Sequence, residues 1–165
     1  MKLLEGYVEN RTQEAALAAM MLALFFVTRT FKIQISPAFG FDFVPAVIFS
    51  ASTILSWPYT VLFSLSVLYK GTTPLTVLSF FIGTQVAFFL RKAFKDEWAH
   101  HAVTIAGIIS APSYGVILHL AGMMDIRAFF AVATVSILIS NIATAVGGKI
   151  FWVAFRRFNI VDEAS

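Results

Sequence analysis

Apolar runs that contain no charged residue dominate the sequence, and the charged and turn-forming residues stand between them. One of these runs, 43–69, contains no Asp, Glu, Lys or Arg over a length that fits either one helix or two. Hydrophobic residues make up 59% of the 165-residue chain and its mean hydropathy is +0.83, far above the composition of soluble proteins. A helix needs about 20 apolar residues to cross a bilayer. The sequence therefore predicts an all-α membrane protein with one integral membrane domain over 1–165 and spans at about 15–31, 43–56, 59–69, 74–92, 99–121 and 128–155.

The uncharged stretch 43–69 fits either one long helix or two short ones. A single helix would place Trp57 and Pro58 in the middle of the membrane, with a kink at the proline and the tryptophan away from the interface. Two helices make Trp57-Pro58 a turn at the interface, where a proline in the first turn of the next helix loses no hydrogen bond. We favour two helices, which gives a six-transmembrane-helix bundle.

The distribution of basic residues predicts the orientation of this bundle. Six spans place both termini on one side, together with most of the Lys and Arg residues, and the positive-inside rule makes that side cytoplasmic. A five-span arrangement gives a similar charge count, but six spans also bring Trp57, Trp98 and Trp152 to the cytoplasmic interface. We expect a multi-pass protein of the cell (plasma) membrane with cytoplasmic N and C termini.

Sequence motifs that would support catalysis are missing. The chain has no cysteine, and its net charge of +3 is too small to indicate nucleic-acid binding. Gly148-Lys149 is not a phosphate loop, because Ala143 replaces the glycine expected five residues earlier and Ile150 replaces the Ser or Thr. We interpret His100-His101 as an interfacial pair rather than a ligand or catalytic pair. The sequence therefore predicts no enzyme, no cofactor and no metal site.

Polar side chains collect in the half of the predicted bundle that faces outward. Each of these side chains has a structural role as the alternative to ligand binding. Charged groups near span ends can reach the membrane interface, and buried amides can form hydrogen bonds between helices. The segment from Lys32 to Asp42 is amphipathic and aromatic, and it is long enough to fold over a pocket. Small-molecule sites are usually apolar pockets with a few placed polar groups. The candidate ligand-binding residues are Arg29, Lys32, Gln34, Asp42, Gln85, Tyr114, His119, Arg127 and Asn141.

Three alanines lie four residues apart in the first apolar run, at Ala15, Ala19 and Ala23. On a helix this spacing puts them on one face, which we call the alanine strip. In lipid, such strips of small residues let two helix backbones approach closely. The strip is therefore a candidate docking surface for a partner protein, although alanine is also common in membrane helices that pack in other ways.

Several segments occur in a characteristic order along the chain. They are the alanine-rich stretch 11–19, Phe43-Val44-Pro45, the turn Trp57-Pro58-Tyr59, the end of the fourth span at 88–92 and Arg156-Arg157. In order and spacing these segments resemble the substrate-binding S component of an energy-coupling factor (ECF) vitamin transporter, and the similarity covers essentially the whole chain.

The resemblance implies six helices, with a substrate site on the outer side under the loop after the first helix and among helices four to six. It also implies three partner subunits, namely a transmembrane coupling protein that docks on the alanine strip and two ATPase subunits. ATP hydrolysis would then occur only in those partners. The loaded S component would tip over in the membrane to deliver a vitamin to the cytoplasm.

The resemblance implies a vitamin without favouring a particular one. Basic residues outnumber acidic ones on the predicted outer side, so the sequence favours a weakly anionic ligand, such as a vitamin that carries a carboxylate. The alternative function is a structural cell-shape membrane protein resembling MreD, which binds partner proteins and has no small-molecule ligand.

Overall fold

The part of the chain that the structure describes forms six α-helices and one short β-hairpin. The computed structural model describes residues 6–8, 10–30, 33–36, 39–41, 43–68, 73–94, 98–158 and 160, with the backbone alone for 33–36 and 39–41. The helices are α1 (Arg11–Thr30), α2 (Val44–Ile54), α3 (Trp57–Ser66), α4 (Pro74–Leu90), α5 (His100–Leu120) and α6 (Ile126–Arg157). The strands β1 (Ile33–Ser36) and β2 (Phe39–Phe41) pair antiparallel. The prediction of a helical protein is confirmed, and part of the connection after α1 forms a hairpin.

Two of the described helices, α5 and α6, are long and apolar enough to cross a membrane by length and composition. They contain 21 and 32 residues, and α2 and α4 are shorter apolar helices. A compact turn joins α5 to α6. Gly122 has a φ of 68°, its N–H donates to His119 O at 3.0 Å, and the N–H of Met123 donates to Leu118 O at 3.0 Å. This pattern ends a helix and reverses the chain, so α5 and α6 lie side by side.

Prolines and a carboxylate mark where the helices begin. Prolines occupy the first turn of α2, α3 and α4, where the missing N–H costs no helical hydrogen bond. The described part of 43–69 accordingly contains two helices, as the sequence predicts. The break lies at Leu55-Ser56, and Trp57 and Pro58, which the sequence places in the turn, already belong to the first turn of α3. At the start of α6 the side chain of Asp125 accepts hydrogen bonds from the N–H groups of Arg127 and Ala128, at 2.9 and 3.2 Å.

Helix α5 packs between α4 and α6, and α2 contacts all three of these helices. Helix α3 packs on α4 and α2, α1 packs on α2, and β2 lies against α6. Small residues permit close contacts of α6 with α2 and α5. A Cβ on Gly147 would lie 2.6 Å from the Cβ of Ala46 in α2, and one on Gly148 would lie 2.7 Å from Val103 in α5. These two positions therefore require glycine for α6 to lie against both helices.

A buried arginine holds the end of α2. Arg91 is 1% exposed, and its Nη1 donates to the carbonyl oxygens of Thr53 at 2.7 Å and Leu55 at 3.2 Å. Its guanidinium carbon lies 4.3 Å from the ring centroid of Phe88 and 5.2 Å from that of Tyr7. The last carbonyls of a helix have no partner within the helix, so Arg91 supplies donors to groups that would otherwise be buried without them.

Two further contacts join the same turn to the N-terminal part of the chain. The carboxylate of Glu14 in α1 accepts a hydrogen bond from the N–H of Ser56 at 2.5 Å. The N–H of Tyr7 donates to Ile54 O at 2.9 Å. The turn between α2 and α3 is thus bound by α1, by the residue after α4 and by the segment before α1.

We predict that Arg91→Met lowers the free energy of unfolding by about 2–4 kcal/mol, because the carbonyls of Thr53 and Leu55 lose a charged donor in a buried place. Thermal and chemical unfolding of the purified protein in one detergent measures this change. Lys92→Met is the matched control: its ammonium is exposed and lies 5.4 Å from the ring of Phe88, a contact worth about 1 kcal/mol or less. Equal effects of the two variants would contradict the role assigned to Arg91.

Candidate functional site: a cavity between four helices

A cavity of about 330 Å³ lies between α2, α4, α5 and α6. This volume is at the lower end of the range of small-molecule sites, roughly 300–1,000 Å³. Each helix contributes residues at spacings of three or four, which places them on one face of that helix. The lining residues are Pro45 and Phe49 from α2, Thr76, Ser79 and Phe80 from α4, Gly107, Ser110, Ala111 and Tyr114 from α5, and Phe129, Ala133, Ile137, Ser140, Asn141 and Thr144 from α6.

Small residues on the central helix leave the space that the cavity occupies. Gly107, Ser110 and Ala111 share one face of α5, and their short side chains leave a gap between α5 and its neighbours. One turn above Ala111, a Cβ on Gly115 would collide with the ring of Phe129. The glycine therefore lets that ring lie against α5 and form part of the cavity wall.

Four aromatic side chains line the cavity in two contacting pairs. The rings of Phe49 and Phe80 are tilted, with centroids 5.9 Å apart. The rings of Tyr114 and Phe129 meet edge to face, with centroids 6.1 Å apart. Such pairs gain about 0.5–1.5 kcal/mol beyond the burial of their area. They give the cavity firm apolar walls that can stack on a flat ligand.

Three of the six hydroxyl groups in the described lining of the cavity donate to the backbone. Ser79 and Ser110 bond reciprocally between α4 and α5: Ser79 Oγ donates to Ser110 O at 2.7 Å, and Ser110 Oγ donates to Ser79 O at 3.0 Å. Thr144 Oγ1 donates to Ser140 O at 2.7 Å. These bonds fix the hydroxyls and leave their oxygen lone pairs as acceptors.

The side-chain amide of Asn141 differs from these hydroxyls, because it forms no hydrogen bond with any residue that the structure describes. Its Oδ1 points toward α5 and lies 3.2 Å from the position that a Cβ on Gly107 would take. The hydroxyl of Tyr114 is likewise free of hydrogen bonds within the described ranges. Both groups can therefore bond to a molecule in the cavity.

Two of the nine candidate ligand-binding residues, Tyr114 and Asn141, line this cavity. Gln85 lies elsewhere: its Oε1 accepts a hydrogen bond from the indole Nε1 of Trp57 at 2.8 Å. His119 is at the end of α5, with its Nδ1 3.3 Å from Met124 O. None of the other candidate ligand-binding residues is found in the described part of the lining.

The remaining candidates lie at helix ends or in the hairpin segment. The guanidinium of Arg29 is 5.8 Å from the ring centroid of Phe25 at the end of α1, and the side chain of Arg127 is exposed in the first turn of α6. The backbone of Gln34 pairs with that of Gly40 in the hairpin. Lys32 and Asp42 lie outside the described residues.

The alanine strip is exposed on α1. Ala15, Ala19 and Ala23 are all exposed, whereas the opposite face of the helix buries Glu14, Leu17, Ala18, Met21 and Phe25. Helix α1 therefore packs on the rest of the chain with Leu17, Met21 and Phe25 and leaves the alanine strip exposed. The docking role of the strip remains a prediction.

The histidine pair lies at the start of α5. The rings of His100 and His101 are 4.2 Å apart, and His101 stacks on Trp98 at 5.1 Å. No group of three His, Cys, Asp or Glu side chains suited to a metal ion occurs among the described residues.

Sequence reasoning missed most of the cavity, including Phe49, Ser79, Phe80, Ser110 and Phe129. A signal for part of it is visible in the spacing of Gly107, Ser110 and Ala111 on α5. That spacing is equally typical of close helix packing, so it does not by itself distinguish a cavity from a contact.

No family model, curated protein or solved structure matches this chain.

The shape of the cavity depends on a close contact between α4 and the ring of Phe49. A Cβ on Gly83 would lie 2.6 Å from that ring and 2.8 Å from the Cβ of Ser110. We predict that Gly83→Ala lowers the free energy of unfolding by about 1–3 kcal/mol through overpacking. In the Gly83→Ala background, Phe49→Leu should recover part of this loss. Unfolding of the wild type, both single variants and the double variant measures the coupling, and additive effects would contradict the contact.

Proposed function

We propose that this protein is the substrate-capture subunit of an ECF-type importer and that it binds a vitamin or related small molecule in the cavity between α2, α4, α5 and α6. The cavity is the observation that carries the proposal. It is lined by apolar and aromatic side chains with a few fixed polar groups, the usual composition of a small-molecule site. Its walls come largely from the fourth to sixth helices, where the resemblance to S components places the substrate.

The proposed subunit crosses the cell membrane six times and has both termini in the cytoplasm. One end of the fold supports this topology. Tyr7, which precedes α1, contacts Trp152 near the end of α6, with ring centroids 6.2 Å apart. Arg91 follows α4 and binds the turn between α2 and α3 at the same end. An even number of crossings would bring these segments together on one side of the membrane.

The proposed partners are a transmembrane coupling protein and two ATPase subunits. The subunit itself acts without catalysis: it captures the ligand, and its partners hydrolyse ATP. The exposed alanine strip supports a docking role for α1, because small side chains allow another helix backbone to come close. Bulky apolar residues on the opposite face anchor α1 to α2.

We predict that a water-soluble vitamin raises the unfolding temperature of the purified protein in detergent. A ligand that binds the folded state alone contributes RT ln(1 + [L]/Kd), about 4 kcal/mol at a thousandfold excess over Kd. Ala133→Phe should remove this shift, because Ala133 lines the cavity and a phenyl ring would fill it. Ala131→Phe is the matched control, since Ala131 is two residues away and exposed. If well-folded protein gives no shift with any vitamin, the capture role is contradicted and a structural membrane protein resembling MreD is favoured.

We predict that Ala19→Trp abolishes vitamin uptake and co-purification with the coupling protein. The indole would hold the partner helix away from the exposed strip, while the affinity of the isolated subunit for its ligand should change less than twofold. Ala131→Trp places the same bulk on the exposed face of α6 and should leave uptake intact. An equal loss of ligand binding in Ala19→Trp would show that the strip supports the fold of this chain and not a partner contact.

A further inference from the structure

We infer that the ligand of the cavity is an uncharged, planar heterocycle whose ring edge carries a hydrogen-bond donor next to an acceptor, as in a cyclic amide or imide. This inference rests on the function proposed above and specifies the chemical class of the substrate. Three properties of the cavity lead to it: the absence of charge in its described lining, the unused amide of Asn141 and the paired aromatic walls.

The charge of the lining limits the charge of the ligand. None of the described lining residues is Asp, Glu, Lys, Arg or His. A carboxylate or ammonium that enters an apolar cavity loses its hydration, and without a partner of opposite charge this loss is costly. An uncharged ligand avoids the penalty. The described lining thus favours an uncharged ligand. The count of basic residues in the sequence, in contrast, favours a weakly anionic one.

Two of those basic residues explain the difference, because the structure places their side chains away from the cavity. Arg29 lies beside Phe25 at the end of α1, and Arg127 is exposed at the start of α6. Charges at helix ends have an ordinary role at the membrane interface, where long side chains keep their charged groups in water. They therefore carry little information about the ligand.

Asn141 determines the hydrogen-bonding pattern that the ligand must match. Its amide provides one acceptor and two donors, and it forms no hydrogen bond within the described residues. A group with a donor beside an acceptor can pair with such an amide through two bonds at once. Ring amides, imides and related heterocycles carry this arrangement on one edge. The free hydroxyl of Tyr114 adds a further donor on the neighbouring helix α5.

The aromatic walls favour a flat ligand. Phe49 with Phe80 and Tyr114 with Phe129 form the two ring pairs described above, and each of these rings lines the cavity. Planar rings gain from offset stacking or edge-to-face contact with such walls. A flexible aliphatic ligand would obtain the apolar contact but not the ring geometry, and it would lose more conformational entropy on binding.

Matched ligand pairs that differ in charge test this inference. Purified protein in detergent is titrated with two such pairs, riboflavin with riboflavin 5′-phosphate and nicotinamide with nicotinate. It is also titrated with three charged vitamins, biotin, pantothenate and thiamine. The unfolding temperature and Kd are measured for each compound. We expect stabilisation by an uncharged heterocycle and at least tenfold weaker binding of its charged counterpart. Stabilisation by charged vitamins alone would overturn this inference and leave the capture role standing. No stabilisation by any compound would overturn both.

Variants of Asn141 test the pairing. Asn141→Leu should weaken the binding of the stabilising ligand by about ten- to a hundredfold, because its polar edge is left without a partner. Asn141→Ala removes the amide without adding a group that can pair with the ligand, and it should weaken binding comparably. Thr134→Val is the control, because Thr134 is exposed on α6 and its hydroxyl bonds to Phe130 O. Unchanged Kd in folded Asn141→Ala would overturn the assigned pairing, whatever the stability of Asn141→Leu.

Discussion

The bond between Arg91 and the end of α2 is the constraint on which the rest of the arrangement depends. With 11 residues, α2 is about 16 Å long, roughly half the thickness of a bilayer core. A helix that ends so early leaves its last carbonyl groups inside the protein, where each needs a donor. Arg91 supplies two hydrogen bonds there, and Glu14 accepts one from the N–H of Ser56 just beyond. Because these polar groups are satisfied, the chain can turn at Ser56 and begin α3 without a large loss of stability.

The short second helix and the small residues of α5 together explain why a cavity exists. Helix α2 contributes two residues to the lining, Pro45 and Phe49, whereas the longer α5 and α6 contribute most of it. Gly107, Ser110 and Ala111 on α5 leave the space of the cavity open. Beyond the cavity along α6, Gly147 and Gly148 hold this helix close to α2 and α5. The close packing at Gly147-Gly148 and the small residues on α5 together produce a cavity of defined shape. The amide of Asn141, which bonds to no described residue, is the group that we propose pairs with the polar edge of the ligand.

The sequence predicts the helices well because apolar runs and prolines act locally. Trp57-Pro58 marks the start of α3, and Asp125 marks the start of α6, with bounds close to the predicted spans. The site is harder to predict, because a side chain joins a cavity only through the rotation and packing of several helices. Tyr114 and Asn141 were identified from their polarity within apolar runs, whereas Phe49 looks like any core phenylalanine. Gln85 has the same polarity as Asn141, yet it bonds to Trp57, and no local pattern distinguishes the two residues.

Native mass spectrometry of the protein purified from cells grown with vitamins tests most directly whether the cavity captures a small molecule. We expect one bound molecule per chain, which small-molecule analysis then identifies, and its loss in Ala133→Phe but not in Ala131→Phe. Folded protein that carries no small molecule, or a bound molecule that Ala133→Phe does not displace, would contradict capture by the cavity.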